Sequence, residues 1–279
     1  MSAAVDCEAE YNNRARVPEH PALIAGWARD AAAYRARLAP RSIRYGPGPR
    51  NIIDFFAADH EGPIVAFIHG GYWQALDSSF FSHLAGGLNA RGISVALPGY
   101  ELCPDVSVDD IIRQMRMATR ELARLAQPLV ISGHSAGGHL AACMLATDWP
   151  AFDASLPKNP VVAAYAISGL FDLGPLVETS INTALRLDQA AAKAASPLFW
   201  NPPARGSLDA VVGENESAEY LRQSRTIVER WRETSIATRF GLVAGANHFT
   251  AIAPLADPKS PMVARLAELA GRSFSKCVE

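Results

Sequence analysis

Pro128-Leu129-Val130-Ile131-Ser132-Gly133-His134-Ser135-Ala136-Gly137 is the stretch whose reading decides the fold. The apolar run before Gly133 reads as a buried strand. The run after it, Gly138-His139-Leu140-Ala141-Ala142-Cys143-Met144-Leu145-Ala146, is small, apolar and helix-prone. Strand, sharp turn and helix with serine at the apex form the G-x-S-x-G nucleophile elbow. Such a turn holds the serine in a strained conformation and lifts its hydroxyl above the sheet edge. Gly133 and Gly137 are required because a Cβ at either place would collide with the opposite arm of the turn. Ser135 therefore reads as a nucleophile.

Working outward, strand-like and helix-like segments alternate, as in a mostly parallel sheet covered on both faces. Ser42–Tyr45 and Asn51–Phe56 read as an antiparallel edge, and Pro63–Ile68, Ile93–Leu97, Val161–Ile167, Leu208–Val212 and Thr238–Val243 as further strands. Helices are expected over Pro21–Leu38, with Leu23, Trp27, Ala31 and Tyr34 on one face, and over Ser79–Arg91, Ala218–Glu233 and Pro261–Gly271. Another starts at Ser107 and carries Ile111, Met115, Ala118, Leu122 and Leu125 at helical spacing. The less regular stretch Gly169–Trp200 is expected above the sheet, near the site. Residues 1–40 read as an N-terminal segment contributing to a small cap, and 41–279 as a single domain.

With 279 residues, 49% of them hydrophobic, the chain can bury a large core. A net charge of -2 without a basic stripe argues against nucleic acid as a partner. No run is apolar enough for a membrane span, and the polar start lacks a signal-peptide pattern, so the expectation is a cytoplasmic protein. Cys7, Cys103, Cys143 and Cys277 show no C-x-x-C spacing, which argues against a disulfide framework or zinc site. No G-x-G-x-x-G follows a strand, which removes the main sign of a dinucleotide-dependent enzyme.

A serine alcohol needs a base, and the base an orienting acid. On a nucleophile elbow of this type they follow in the order Ser, Asp/Glu, His. His248, just past the last strand, is the only histidine after His139 and is the candidate base. Glu216, three residues after Gly213, is the candidate acid; Glu214 and Asp172 are the alternatives. The His69-Gly70-Gly71-Tyr72-Trp73 loop follows a strand where oxyanion donors belong, so the amides of Gly70, Gly71 and Ala136 are the candidate hole. Tyr72, Trp73, Phe171 and Phe249 flank these loops and are the candidate substrate-binding residues.

At these residues the chain resembles the hormone-sensitive-lipase branch of the α/β-hydrolase superfamily, and within it the kynurenine formamidase (arylformamidase) group. The matching pieces are Tyr11-Asn12-Asn13-Arg14, His69-Gly70-Gly71-Tyr72-Trp73, Tyr100-Glu101-Leu102-Cys103-Pro104, Gly133 through Leu140, Ser168 through Leu173, Glu219 through Ser224, and Asn247-His248-Phe249. The lipases usually carry His-Gly-Gly-Gly, and Tyr72-Trp73 is the formamidase-like variant. The acid in relatives is commonly Asp rather than Glu. The resemblance implies an α/β-hydrolase fold, Ser135 as nucleophile, Glu216 as acid, His248 as base, and no metal or cofactor. It also implies a small aromatic amide or ester as substrate, with an aryl formamide in the lead, and leaves a homodimer open. A carboxylesterase, another arylamide or carbamate hydrolase, and a ligand-binding protein on the same fold are the competing readings.

Overall fold

The computed structural model describes residues 5–59, 62–125, 129–234 and 236–274. Pro128 and Cys277 lie outside them. Among the described residues, eight strands form one sheet: β1 (Arg41–Arg44), β2 (Ile52–Phe56), β3 (Ile64–Ile68), β4 (Ser94–Pro98), β5 (Leu129–His134), β6 (Val161–Ile167), β7 (Ser207–Gly213) and β8 (Ala237–Val243). Their order across the sheet is β1-β2-β4-β3-β5-β6-β7-β8. β2 pairs antiparallel with both β1 and β4, and every pairing from β4 to β8 is parallel.

The central strands are apolar on both faces because both faces are covered. Along β3, Ile64, Ala66 and Ile68 join one core cluster, and Val65 and Phe67 the other. This is the two-residue alternation of an extended chain. The first cluster is completed by helices Val108–Leu125, Ala136–Leu145 and Ala218–Arg232, and the second by helices His20–Arg37 and Pro261–Phe274.

Several segments differ from their sequence reading. The first strand lies one residue earlier than expected; Tyr45 leaves it and is buried, donating to the Gly99 carbonyl at 2.5 Å. The Ser79–Arg91 segment is a 3₁₀ helix (Ser78–Leu84) followed by a short α-helix (Ala85–Asn89). Leu125 ends its helix exposed rather than packed. Two short helices, Cys7–Tyr11 and Asn13–Arg16, precede the long N-terminal one. Asp6 and Asn12 cap them by accepting the amides of Ala9 and Ala15 at 3.1 Å each. Their polar, cap-rich sequence has no apolar periodicity that would announce them.

Candidate active site

β5 runs straight into the helix Ala136–Leu145 through Ser135, whose backbone is held at φ 56°, ψ -117°. A non-glycine residue in this region is strained. Its amide donates to the Ile167 carbonyl of β6 at 2.8 Å, and its carbonyl accepts from His139 at 3.1 Å, so the kink is pinned from both sides. A Cβ on Gly133 would overlap the Gly137 carbonyl, and one on Gly137 the carbonyl of Ile68. The two glycines let the arms of the turn and the end of β3 pass this closely.

The next strand repeats the device. Ser168, just past β6, has φ 51° and donates its amide to Val211 of β7 at 2.7 Å. Its hydroxyl donates to Glu216 Oε1 at 2.5 Å, and the Gly213 amide donates to the same oxygen at 2.7 Å. Glu216 Oε2 accepts from His248 Nδ1 at 2.6 Å. With Nδ1–H committed to a carboxylate, Nε2 is the acceptor of the His248 ring. The sequence left three carboxylates open, and only Glu216 meets His248. Glu214 accepts the Gly245 amide of the loop after β8 at 2.8 Å, and Asp172 the Gly174 amide of its own turn at 3.0 Å.

His134, the variable residue of the elbow, donates Nε2–H to the His248 carbonyl at 2.8 Å. Burial, with the neighbouring His248, holds its pKa well below the usual histidine value, so it is a neutral donor. Neither His134 nor Ser168 was singled out from sequence. Their positions, His134 next to Ser135 and Ser168 at the end of β6, were the available signal.

The loop after β3 is strained. Gly71 has φ 111°, and Tyr72, Trp73 and Leu76 have φ of 50°, 56° and 69°. A Cβ on Gly71 would overlap the Ala75 carbonyl, and one on Gly70 would lie 3.0 Å from the Ser135 Cβ. The loop backbone therefore lies directly against the serine. Among the described residues, the amides of Gly70, Gly71 and Ala136 donate to no protein group. Ala136 opens a ten-residue helix, whose positive end faces the same place.

Ser135 and His248 line one cavity of ≈ 390 Å³ with Gly71, Tyr72 and Phe249. Among the described residues no hydrogen bond joins the Ser135 hydroxyl to His248. Ile24, Trp27, Leu76, Ile181 and Phe249 make its apolar wall. Phe249 stacks against Trp27, with ring centroids 6.0 Å apart. Trp73 and Phe171 do not line the cavity, contrary to expectation. Both are fully buried in the core, Trp73 edge-on to His139 at 5.0 Å and Phe171 against the Gly169 backbone. Tyr34 also lies away from it, donating to Asn89 at 2.7 Å.

The other wall comes from residues 11–14, which are backed by the helix Ala218–Arg232. Tyr72 donates its hydroxyl to the Tyr11 carbonyl at 2.5 Å, so Tyr220 is the donor in their 2.6 Å hydroxyl contact. Asn13 Nδ2 reaches both phenols, at 3.0 Å to Tyr220 and 3.3 Å to Tyr72. The Tyr11 hydroxyl donates to Glu219 at 2.7 Å and accepts from Gln223 at 2.9 Å. Burial pushes the Tyr220 phenol pKa well up, opposed in part by its neighbours Tyr72, Asn13 and Ser135. The Tyr220 ring lies 4.7 Å from that of His248. Cys7, Cys103 and Cys143 are free thiols. Among the described residues no group of three His, Cys, Asp or Glu side chains could hold a metal ion, and no helix is long and apolar enough to cross a membrane.

The sequence model of the alpha/beta hydrolase family matches residues 65–273, and the chain belongs to that family, on its kynurenine formamidase-like side. It is 29% identical to a kynurenine formamidase of Danio rerio over 86% of this chain and 85% of that protein. It is 30% identical to a kynurenine formamidase of Drosophila melanogaster, over 75% and 74% respectively. Among solved structures, a candidate thioesterase from Silicibacter sp. TM1040 superposes with a TM-score of 0.82 at 35% identity, covering 94% of this chain and 98% of its own. The chain is a hydrolase.

Proposed function

We propose that the protein is a metal-free serine hydrolase that cleaves aryl formamides or closely related N-acyl arylamines through an acyl-enzyme. The observation that carries this reading is the Glu216–His248 pair at 2.6 Å, on the same cavity as a serine held at φ 56°. In this reading His248 Nε2 takes the Ser135 proton as Oγ attacks the carbonyl carbon. Glu216 keeps the imidazole in its Nδ1–H tautomer and stabilises the imidazolium. The amides of Gly70, Gly71 and Ala136 receive the oxyanion, each donor contributing on the order of 3 kcal/mol in the transition state. His248 returns the proton to the leaving amine, and water clears the acyl group by the same route. The N-terminal segment, through Asn13 and Trp27, acts as part of a cap over the slot.

The formamidase relatives and the apolar, aromatic wall support the aryl formamide as substrate. The 35% identical thioesterase-like structure favours a second reading, an esterase or thioesterase with the same residues in the same roles. The test compares N-formylkynurenine, short p-nitrophenyl esters and acyl thioesters on the wild type and Ser135→Ala. The expected result is the highest kcat/KM for the formamide. Ser135→Ala is expected to lose at least about four orders of magnitude in kcat with its melting temperature kept. Preference for the esters or thioesters overturns the substrate, and an active Ser135→Ala protein overturns the mechanism.

A further inference from the structure

We propose that Arg14 is a binding residue for a carboxylate carried by the leaving group, so that the preferred substrate is an anionic aryl amide or ester rather than a neutral one. The inference rests on the serine-hydrolase reading above and specifies its substrate class.

Arg14 lines the same ≈ 390 Å³ cavity as Ser135 and His248. Among the described residues it is the only Lys, Arg, Asp or Glu that does so. It is exposed, and among the described residues it makes no ion pair or hydrogen bond. The acidic groups on its own segment are engaged elsewhere. Glu8 accepts the Ser180 amide and hydroxyl at 2.8 Å each and Asn12 Nδ2 at 3.0 Å, and these bonds hold its carboxyl below the usual range. Glu10 accepts the Glu219 amide at 3.0 Å and faces Arg16 at 3.7 Å. Nearby arginines show the contrast: Arg222 forms a two-pronged pair with Glu219 at 2.7 Å on both arms, and Arg50 is held by the carbonyls of Tyr100 and Leu76.

The position of Arg14 is fixed even though its side chain is unpaired. Asn12 caps its helix, and the neighbouring Asn13 is tied to both Tyr72 and Tyr220. Among the other polar side chains of the cavity, Asn12, Gln74 and Ser180 carry no charge. A formyl-sized acyl group occupies little of the cavity, so the bulk of the substrate is leaving group. An aromatic body against Trp27 and Phe249 with a carboxylate toward Arg14 matches the lining. A planar guanidinium suits such a partner because it can offer two parallel N–H donors.

The test uses two aryl esters that differ in the leaving group's charge, 3-acetoxybenzoate and 3-acetoxybenzamide, with N-formylaniline run beside them. The wild type is expected to favour the anion, and Arg14→Gln to reduce that preference about tenfold through KM rather than kcat. Arg14→Lys should restore part of it. A second measurement does not depend on turnover: calorimetric Kd values of 2-aminobenzoate and 2-aminobenzamide on the Ser135→Ala protein, with and without Arg14→Gln. An anion-to-neutral ratio that is the same with and without Arg14, in either measurement, overturns the proposal. Cleavage of the esters without N-formylaniline would count against the formamide reading alone and leave the Arg14 ratio readable.

Discussion

The elbow at the end of β5 and the wall built by residues 11–14 are two sides of one cavity held by different forces. The elbow is a matter of backbone shape. Its serine is kinked, its two glycines admit carbonyls where side chains would collide, and the serine amide bonds directly to β6. The wall is a matter of side-chain hydrogen bonds between residues far apart in the chain. Asn13 and Tyr220 are separated by 207 positions, and Tyr11 and Gln223 by 212. Steric constraint leaves the elbow almost no freedom, whereas each bond in the wall contributes only about 1 kcal/mol net. The centre that has to place atoms to a fraction of an ångström is built rigidly. The surface proposed to select the substrate is built from parts that can be exchanged one at a time.

Gly137→Ala probes the rigid side most severely. Its Cβ would overlap the Ile68 carbonyl and lie 2.8 Å from that of His69, both backbone atoms that cannot swing away. The expected cost is at least about 3 kcal/mol of stability together with near-complete loss of hydrolysis, read by thermal melting and kcat. A variant that melts and turns over like wild type would break the contrast.

Acid should test the buried frame around the elbow. His69, stacked on Tyr100 at 4.2 Å, and His139, beneath Trp73, are both lowered to about 4, chiefly by burial. Their folded values lie below the unfolded value near 6.5, so the unfolded chain binds more protons between those two limits. Stability is therefore full above about pH 6.5 and is lost as pH falls toward 4, by up to about 1.4 kcal/mol per pH unit for each histidine. Calorimetric melting from pH 7 to pH 4.5 should show a steep fall, and a flat profile would contradict the assignment.

The smallest effect is expected in the wall. Asn13→Ala removes its bonds to Tyr72 and Tyr220. KM should rise several-fold, with a loss of about 1 kcal/mol in stability. A lower melting temperature with KM unmoved would make the wall a brace without a part in selecting substrate.

The same contrast explains what could be read along the chain. The strand segments, the antiparallel edge and the serine apex follow from local apolar runs and glycine spacing, whereas the order of the strands across the sheet does not. Glu216 and His248 follow from their places after consecutive strands. Ser168, His134, Asn13 and Tyr220 act through partners remote in sequence, and no local pattern marks such meetings. Trp73 and Phe171 were misplaced for a related reason. Adjacency to a loop does not set the direction of a side chain, and the positive φ at Trp73 accompanies a ring buried in the core rather than one facing the slot.

The single bond from His134 to the carbonyl of residue 248 has a mechanical consequence. The strand leading into the His248 loop, β8, is the margin of the sheet and, among the described residues, pairs with a neighbour on one side only. Margins of this kind breathe more than interiors. Because the imidazole next to Ser135 grips the loop that carries the other imidazole, fluctuations at that margin are passed to both together, and their spacing is shielded from a motion that would otherwise shift just one.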